Sequence, residues 1–207
     1  MDIPTILETL RQNIIQTSYI EIIAVFFGLI SVWFAKKENI WVYPTGILNV
    51  LIYVYIFFIA KLYALAAINV FYFATSVYGW YNWTHGGTGN DKLSISVCSR
   101  KMLIIDSAIV IVSTGILWVV LKYWIANSSI PFWDSFTTAI FLVGMLLMAK
   151  KKVDNWTFWI IGDALCVPMC IYQGLIFTAF QYIVFLWIAI AAYVEWNKKY
   201  KQSLQHA

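Results

Sequence analysis

Apolar residues run along this chain in blocks of about twenty, the length at which a helix crosses the hydrocarbon core of a bilayer. Seven blocks can be read: Tyr19 to Ala35, Ile40 to Ala60, Tyr63 to Trp83, Met102 to Ala126, Pro131 to Ala149, Asn155 to Leu175 and Thr178 to Trp196. Short polar runs such as Lys36-Lys37-Glu38-Asn39 and Lys150-Lys151-Lys152 separate them, together with one longer Gly- and Ser-rich stretch from Thr84 to Arg100. The pattern predicts an all-α integral membrane protein of seven transmembrane helices. It leaves no room for a soluble domain. Residues 1–18 carry Asp2, Glu8 and Arg11 and lack the basic start and small-residue cleavage site of a signal peptide, so they are expected to form an interfacial segment.

Composition agrees. Of 207 residues, 62% are hydrophobic and 12% charged, against roughly a quarter charged in soluble domains. Eleven of the fourteen basic residues fall in the first, third and fifth inter-span loops and the tail; only Arg11, Lys61 and Lys122 lie on the other side. The positive-inside rule then puts the N-terminus outside and the C-terminus in the cytoplasm. The net charge of +4 reports topology and gives no reason to invoke nucleic acid.

Setting the fourth span aside, two stretches resemble each other. FFGLISVWFAKKENIW and FLVGMLLMAKKKVDNW each end a span in lysines and begin the next near Trp41 or Trp156, and each half closes on Trp83 or Trp196. With one span between them the halves point the same way. This predicts parallel three-helix-bundle repeats in a 3+1+3 order, with residues 19–83 as the first bundle, 84–126 as loop and linker helix, 131–196 as the second bundle and 197–207 as a cytoplasmic tail. Transporters with such repeats bind substrate between the bundles near the midplane. Lysine pairs and tryptophans also mark membrane boundaries in unrelated proteins, so the repeat is an expectation.

Within the apolar blocks a few polar residues stand out. Asp163 sits roughly 12 Å along its span from Asn155, at 1.5 Å per residue, and Asn49 lies at a similar depth in the second span. An intramembrane carboxylate costs at least about 2.5 kcal/mol on insertion scales and so tends to face a cavity or a partner. No Lys or Arg lies at that depth in the spans to pair with it. Trp159, one turn earlier, shares its helical face. A ring beside an unpaired acid suits a flat cationic ligand. Asn69, Tyr72 and Ser76 form a stripe in the third span; Gln173, Gln181 and Tyr182 flank the outer end of the last helix pair; Asp134, beside Trp133, sits one turn inside the fifth span. Interhelical hydrogen bonding is the alternative role for Asn69 and Ser76, and an interfacial one for Gln181 and Tyr182. Cys166 and Cys170 read as packing residues, Cys98 as a lone loop thiol, Asp106 as an interfacial group, and GGTGN at 86–90 as a flexible connector lacking the ending of a phosphate loop. With only His85 and His206 available, both outside the spans, no metal site and no cofactor are expected.

LYALAAINVFYFATSVYGWYNW at 62–83, PFWDS at 131–135, NWTFWIIGDA and IYQGL together resemble the PnuC family of vitamin transporters over nearly the whole chain. The resemblance implies a SWEET-like fold in the bacterial inner membrane, often as a homotrimer, and uptake of nicotinamide riboside for NAD biosynthesis. It further implies facilitated diffusion, with a cytoplasmic kinase trapping the product by phosphorylation. A Trp-x-x-x-Asn element contributes to the family's substrate site. Here it reads Trp159 to Asp163, with Asp in place of Asn. Relatives carry thiamine or riboflavin; thiamine, like the riboside, is a flat cation. The other class of reading is an ion-coupled vitamin symporter using Asp163 and Asp134, and clustered acids that would support a membrane-embedded enzyme are absent from the sequence.

Overall fold

The computed structural model describes residues 18–87, 89, 91–125 and 129–205. The expected interfacial segment therefore lies almost wholly outside the described residues. Seven α-helices are seen among them: α1 Tyr19–Lys36, α2 Val42–Ile59, α3 Tyr63–His85, α4 Arg100–Val120 continuing as a π-helical turn Leu121–Ile125, α5 Pro131–Ala149, α6 Asn155–Tyr172 and α7 Ile176–Gln205. Five of these, α1, α2, α4, α5 and α7, are long and apolar enough to cross a membrane. α3 and α6 fall short because of inward-facing polar residues, among them Asn69, Thr75, Ser76 and Asn82 on one and Asp163 on the other.

The helices close a ring. α1 packs on α2, α2 on α3, α3 on α5, α5 on α6, α6 on α7, and α7 back on α1, while α4 lies outside against α5. The α4–α5 contact is an apolar layer of Val110, Ala139, Ile140, Val143 and Leu147. Ile104, Ile111, Val112 and Ile116 of α4 point outward, largely exposed. A soluble helix would bury such residues; a helix facing lipid need not.

Four of the turns are built alike. After α1, Glu38 takes a left-handed conformation (φ 58°) and Asn39 N–H bonds back to Phe34 O at 2.9 Å. Lys61 after α2, Lys151 after α5 and Gly174 after α6 repeat this, with bonds from Leu62 N to Phe57 O, Lys152 N to Leu147 O and Leu175 N to Cys170 O. These are Schellman-type stops, where glycine is the usual choice. Left-handed geometry costs a non-glycine residue about 1–2 kcal/mol, and at two of the four turns the side chain offsets it: Lys151 Nζ lies 2.8 Å from Glu38 Oε1.

That ion pair belongs to a layer closing the lysine-rich end of the bundle. Glu38 also pairs with Lys199 at 3.1 Å, and Glu195 takes Lys37 at 3.8 Å. Beneath lie four aromatic residues. Tyr43 meets Trp83 edge to face at 5.2 Å, Trp156 meets Trp196 the same way at 5.6 Å, and Trp83 and Trp196 are 5.6 Å apart. Trp83 Nε1 donates to Met148 O at 2.9 Å and Trp196 Nε1 to Ala35 O at 3.0 Å, so each is fastened to the end of a helix distant in sequence. Gly79 lets α3 approach this layer, since a Cβ there would fall 2.5 Å from the Tyr43 ring.

The GGTGN connector lies partly outside the described residues, while residues 91–100 after it are fastened to the bundle. Leu93 N–H bonds to Trp83 O, Ser96 bridges to Lys152, and Ile95 is buried in the tryptophan layer. Cys98 N–H donates to Asp154 Oδ2 at 2.6 Å, and burial, reinforced by Asp154, pushes the Cys98 thiol up to about 12, which keeps it unreactive. Asp106, in the second turn of α4, is buried at 6% exposure, and its Oδ2 has no hydrogen-bond partner among the described residues.

Candidate functional site

The ring encloses a cavity of about 390 Å³, lined by all six of its helices and by none of α4. This volume suits a vitamin-sized ligand. Eight of the eleven residues singled out from sequence border it: Asn49, Asn69, Tyr72, Ser76, Trp159, Asp163, Gln181 and Tyr182. Trp133, Asp134 and Gln173 do not. Trp133 packs with Phe132 and Phe136 at the start of α5 and is 46% exposed, Asp134 backbone O accepts the Thr138 hydroxyl in the first turn of that helix, and Gln173 is the exposed cap of α6.

Asp163 is buried at 3% exposure, and none of the ion pairs among the described residues includes it. One turn away the Trp159 ring lies stacked on Phe141, centroids 5.2 Å apart. Phe141 is in turn parallel to Tyr182 within 2°, at 6.3 Å. Gly162 makes room for this wall, because a Cβ there would collide with the Phe141 ring. On the facing side Asn49 Nδ2 donates to Ala24 O at 2.7 Å and Ser31 Oγ donates to Val42 O at 2.8 Å. These bonds tie α2 to α1 and fix both side chains on the cavity surface.

Three buried donors on the cavity wall have no partner among the described residues: Tyr43 Oη, Trp156 Nε1 and Trp159 Nε1. An unpaired buried donor costs about 1–3 kcal/mol, so such groups mark where a polar ligand is rewarded. Sequence reasoning missed Ser31, Tyr43, Phe141 and Trp156 as cavity residues. The Trp156 position was visible as a landmark of the repeat pattern. The others carried no signal, because an aromatic or a serine in an apolar helix looks the same whether it faces cavity, neighbour or lipid. The chemistry assembled here is an aromatic wall, an uncompensated carboxylate and scattered amide and hydroxyl groups, with no nucleophile and base placed together.

A family model described as Nicotinamide mononucleotide transporter matches residues 18–198. The chain belongs to this family. Its members are the PnuC membrane transporters, not enzymes. The chain is 29% identical over 197 residues to the nicotinamide riboside transporter PnuC of Escherichia coli (strain K12), spanning 84% of this chain and 82% of that one. It is 25% identical over 163 residues to the riboflavin/roseoflavin transporter RibM of Streptomyces davaonensis, covering 76% and 75% of the two. The crystal structure of the vitamin B3 transporter PnuC superposes with a TM-score of 0.69 at 21% identity, over 95% of this chain and 88% of that chain. The family match thus covers every helix that lines the cavity.

Proposed function

We propose that this chain takes up nicotinamide riboside by facilitated diffusion through the central cavity, with phosphorylation by a cytoplasmic kinase keeping the product inside. The observation that carries the reading is the pairing of the Trp159–Phe141 ring wall with Asp163, a buried carboxylate without a lysine or arginine partner among the described residues. A pyridinium ring supplies the face that the wall accepts and the charge that the carboxylate lacks. The name of the 29% identical relative points to the same substrate. Thiamine, also a flat cation, is the second reading, favoured by the same two features. Asp163 is also what an ion-coupled symporter would use. Passive transport predicts saturable uptake into liposomes that a proton or sodium gradient leaves unchanged.

The proposed architecture is seven transmembrane helices with α1–α3 and α5–α7 as parallel repeats, α4 as linker, a SWEET-like arrangement, and a homotrimer as the assembled form. The four alike turns support the repeat, as do the cross-fastened Trp83 and Trp196. One constant offset relates Glu38 to Lys151, Lys61 to Gly174, Ala35 to Met148 and Trp83 to Trp196. In that register Asp163 corresponds to Val50 and Asn49 to Gly162, one residue away from the match that depth alone suggested. The acid therefore belongs to one repeat only. The lysine-rich end is the cytoplasmic one. In a cysteine-free background, Thr5→Cys is expected to react with an impermeant maleimide from outside intact cells and Leu204→Cys only after permeabilisation; labelling of both from one face would remove the seven-span topology.

Isothermal titration of the purified protein with nicotinamide riboside and with thiamine tests the substrate. Trp159→Ala is expected to weaken the bound vitamin by roughly 1–3 kcal/mol, the loss seen when a stacked base loses its aromatic platform. Unchanged affinity in a folded variant would remove Trp159 from the site.

A further inference from the structure

The two halves of the cavity wall mix polar and aromatic groups differently. α1–α3 present Ser31, Asn49, Asn69 and Ser76 together with Tyr43, Tyr53 and Tyr72; α5–α7 present Phe141, Trp159, Tyr182 and Phe185 together with Asp163 and Gln181. In the proposed repeat register Asn69 corresponds to Tyr182 and Tyr72 to Phe185, while the partners of Ser31, Asn49, Phe141 and Trp159 are all glycines. At two places large and small residues have changed sides. α6 carries Trp159, whose ring edge lies over Gly144, where a Cβ would sit 3.4 Å from Trp159 Nε1; the corresponding pair on α2 and α1 is Gly46 and Ser31, with a Gly46 Cβ 3.0 Å from Ser31 Oγ. α5 carries Phe141 lying on Gly162; the corresponding pair is Gly28 and Asn49, with a Gly28 Cβ 3.0 Å from Asn49 Nδ2. The place that two rings take beside α5 and α6 is held beside α1 and α2 by the smaller Ser31 and Asn49 side chains, which border the cavity together with Gly28 and Gly46.

We infer that the cavity holds a ligand with two unlike ends, a flat ring against Phe141 and Trp159 and a hydroxylated substituent in the room bordered by Gly28 and Gly46, and that Gly46 sets the size of that substituent. This rests on the cation reading above and sharpens it to a glycosylated ring. The polar groups in that room suit hydroxyls. Ser31 Oγ and one Asn49 Nδ2 hydrogen are already committed to Val42 O and Ala24 O. The Ser31 Oγ lone pairs and Asn49 Oδ1 remain to accept from sugar O–H groups. An apolar side chain at Gly46 takes the space of the substituent and leaves the ring wall on the opposite helices untouched.

The test is isothermal titration of wild type and Gly46→Leu with two pyridinium cations, nicotinamide riboside and N1-methylnicotinamide, which share the ring and charge and differ in the sugar. Wild type is expected to prefer the riboside by at least about tenfold, and Gly46→Leu to weaken the riboside by about thirtyfold or more while holding the methyl cation within about threefold, in line with the discrimination a filled or vacated subsite provides. Ser31→Gly/Gly46→Leu, which copies the small residue at Gly144, gives the leucine room and serves if the single variant does not fold. It is expected to show the same selective loss. Equal losses for both cations, or none for either, would overturn the inference while leaving the cation reading intact. Binding of neither cation by wild type would overturn both.

Discussion

Lys151→Met is expected to cost roughly 3 kcal/mol of stability, the low end of the range for removing one partner of a buried ion pair. The ammonium is buried, with 8% of its side chain exposed, and does three things at once: it meets Glu38 Oε1 at 2.8 Å, donates to Leu93 O at 2.6 Å and lies 4.8 Å over the Trp83 ring. Removing it leaves a carboxylate at 24% exposure and a carbonyl without its donor. Glu38 keeps Lys199, which is why the low end of the range applies. Lys199 is 36% exposed, so Lys199→Met should cost under about 1 kcal/mol, as exposed pairs do. Glu38→Met/Lys151→Met should recover most of the loss, because replacing both members of a buried pair by apolar groups is close to neutral. Denaturant unfolding of the four proteins in detergent measures this. A loss below about 0.5 kcal/mol for Lys151→Met would mean that the Trp83 and Trp196 hydrogen bonds, not the ion pair, hold this end closed.

The same layer shows what the sequence could and could not convey. The lysine runs announced helix ends, and α5 spans Pro131–Ala149 as read, because Pro at its first position and the lysine triplet after it bracket it on both sides. α6 stops at Tyr172, before Leu175, at the left-handed Gly174, and α7 continues to Gln205, far beyond Trp196. The charged tail residues favour helix once outside the apolar layer, and the Glu195–Lys199 pair at 3.9 Å spans one helical turn. Nothing in KKENIW said that Glu38 would meet Lys151. That contact depends on how α1 and α5 are brought together, which is a tertiary fact.

The cavity was legible where a polar residue broke an apolar helix. Asp163, Asn49, Asn69 and Ser76 stand out because burial of polar groups in such a helix is costly unless something uses them. Gly28, Gly46, Phe141 and Tyr43 did not stand out, since apolar and small residues are equally at home against lipid or another helix. Trp133, Asp134 and Gln173 stood out in the same way and do not border the cavity. They are polar or amphipathic residues at helix ends, where an interfacial place explains them as well as a ligand does.

Replacing Asp163 by Asn should weaken nicotinamide riboside by roughly 1.5–3 kcal/mol, the worth of a hydrogen bond to a charged group. The reduced, uncharged form of the same riboside should lose far less. The two side chains have nearly the same size and differ in charge, so packing around Gly162 and Cys166 is preserved and the comparison isolates the carboxylate. The carboxylate is buried in a cavity wall with no ion pair among the described residues, so on the proposed reading the nearest compensating charge in the complex is the ligand's. This also gives a physical meaning to the departure from the Trp-x-x-x-Asn element. On the proposed reading an Asn at this position offers a dipole to any flat ring, whereas the Asp of this chain ties affinity to a positive one. Titration of wild type and Asp163→Asn with the charged and reduced ribosides decides it. Parallel losses for the two ligands would show that Asp163 reads shape or hydrogen bonding and not charge, and near-silence for both would make it a packing residue of α6.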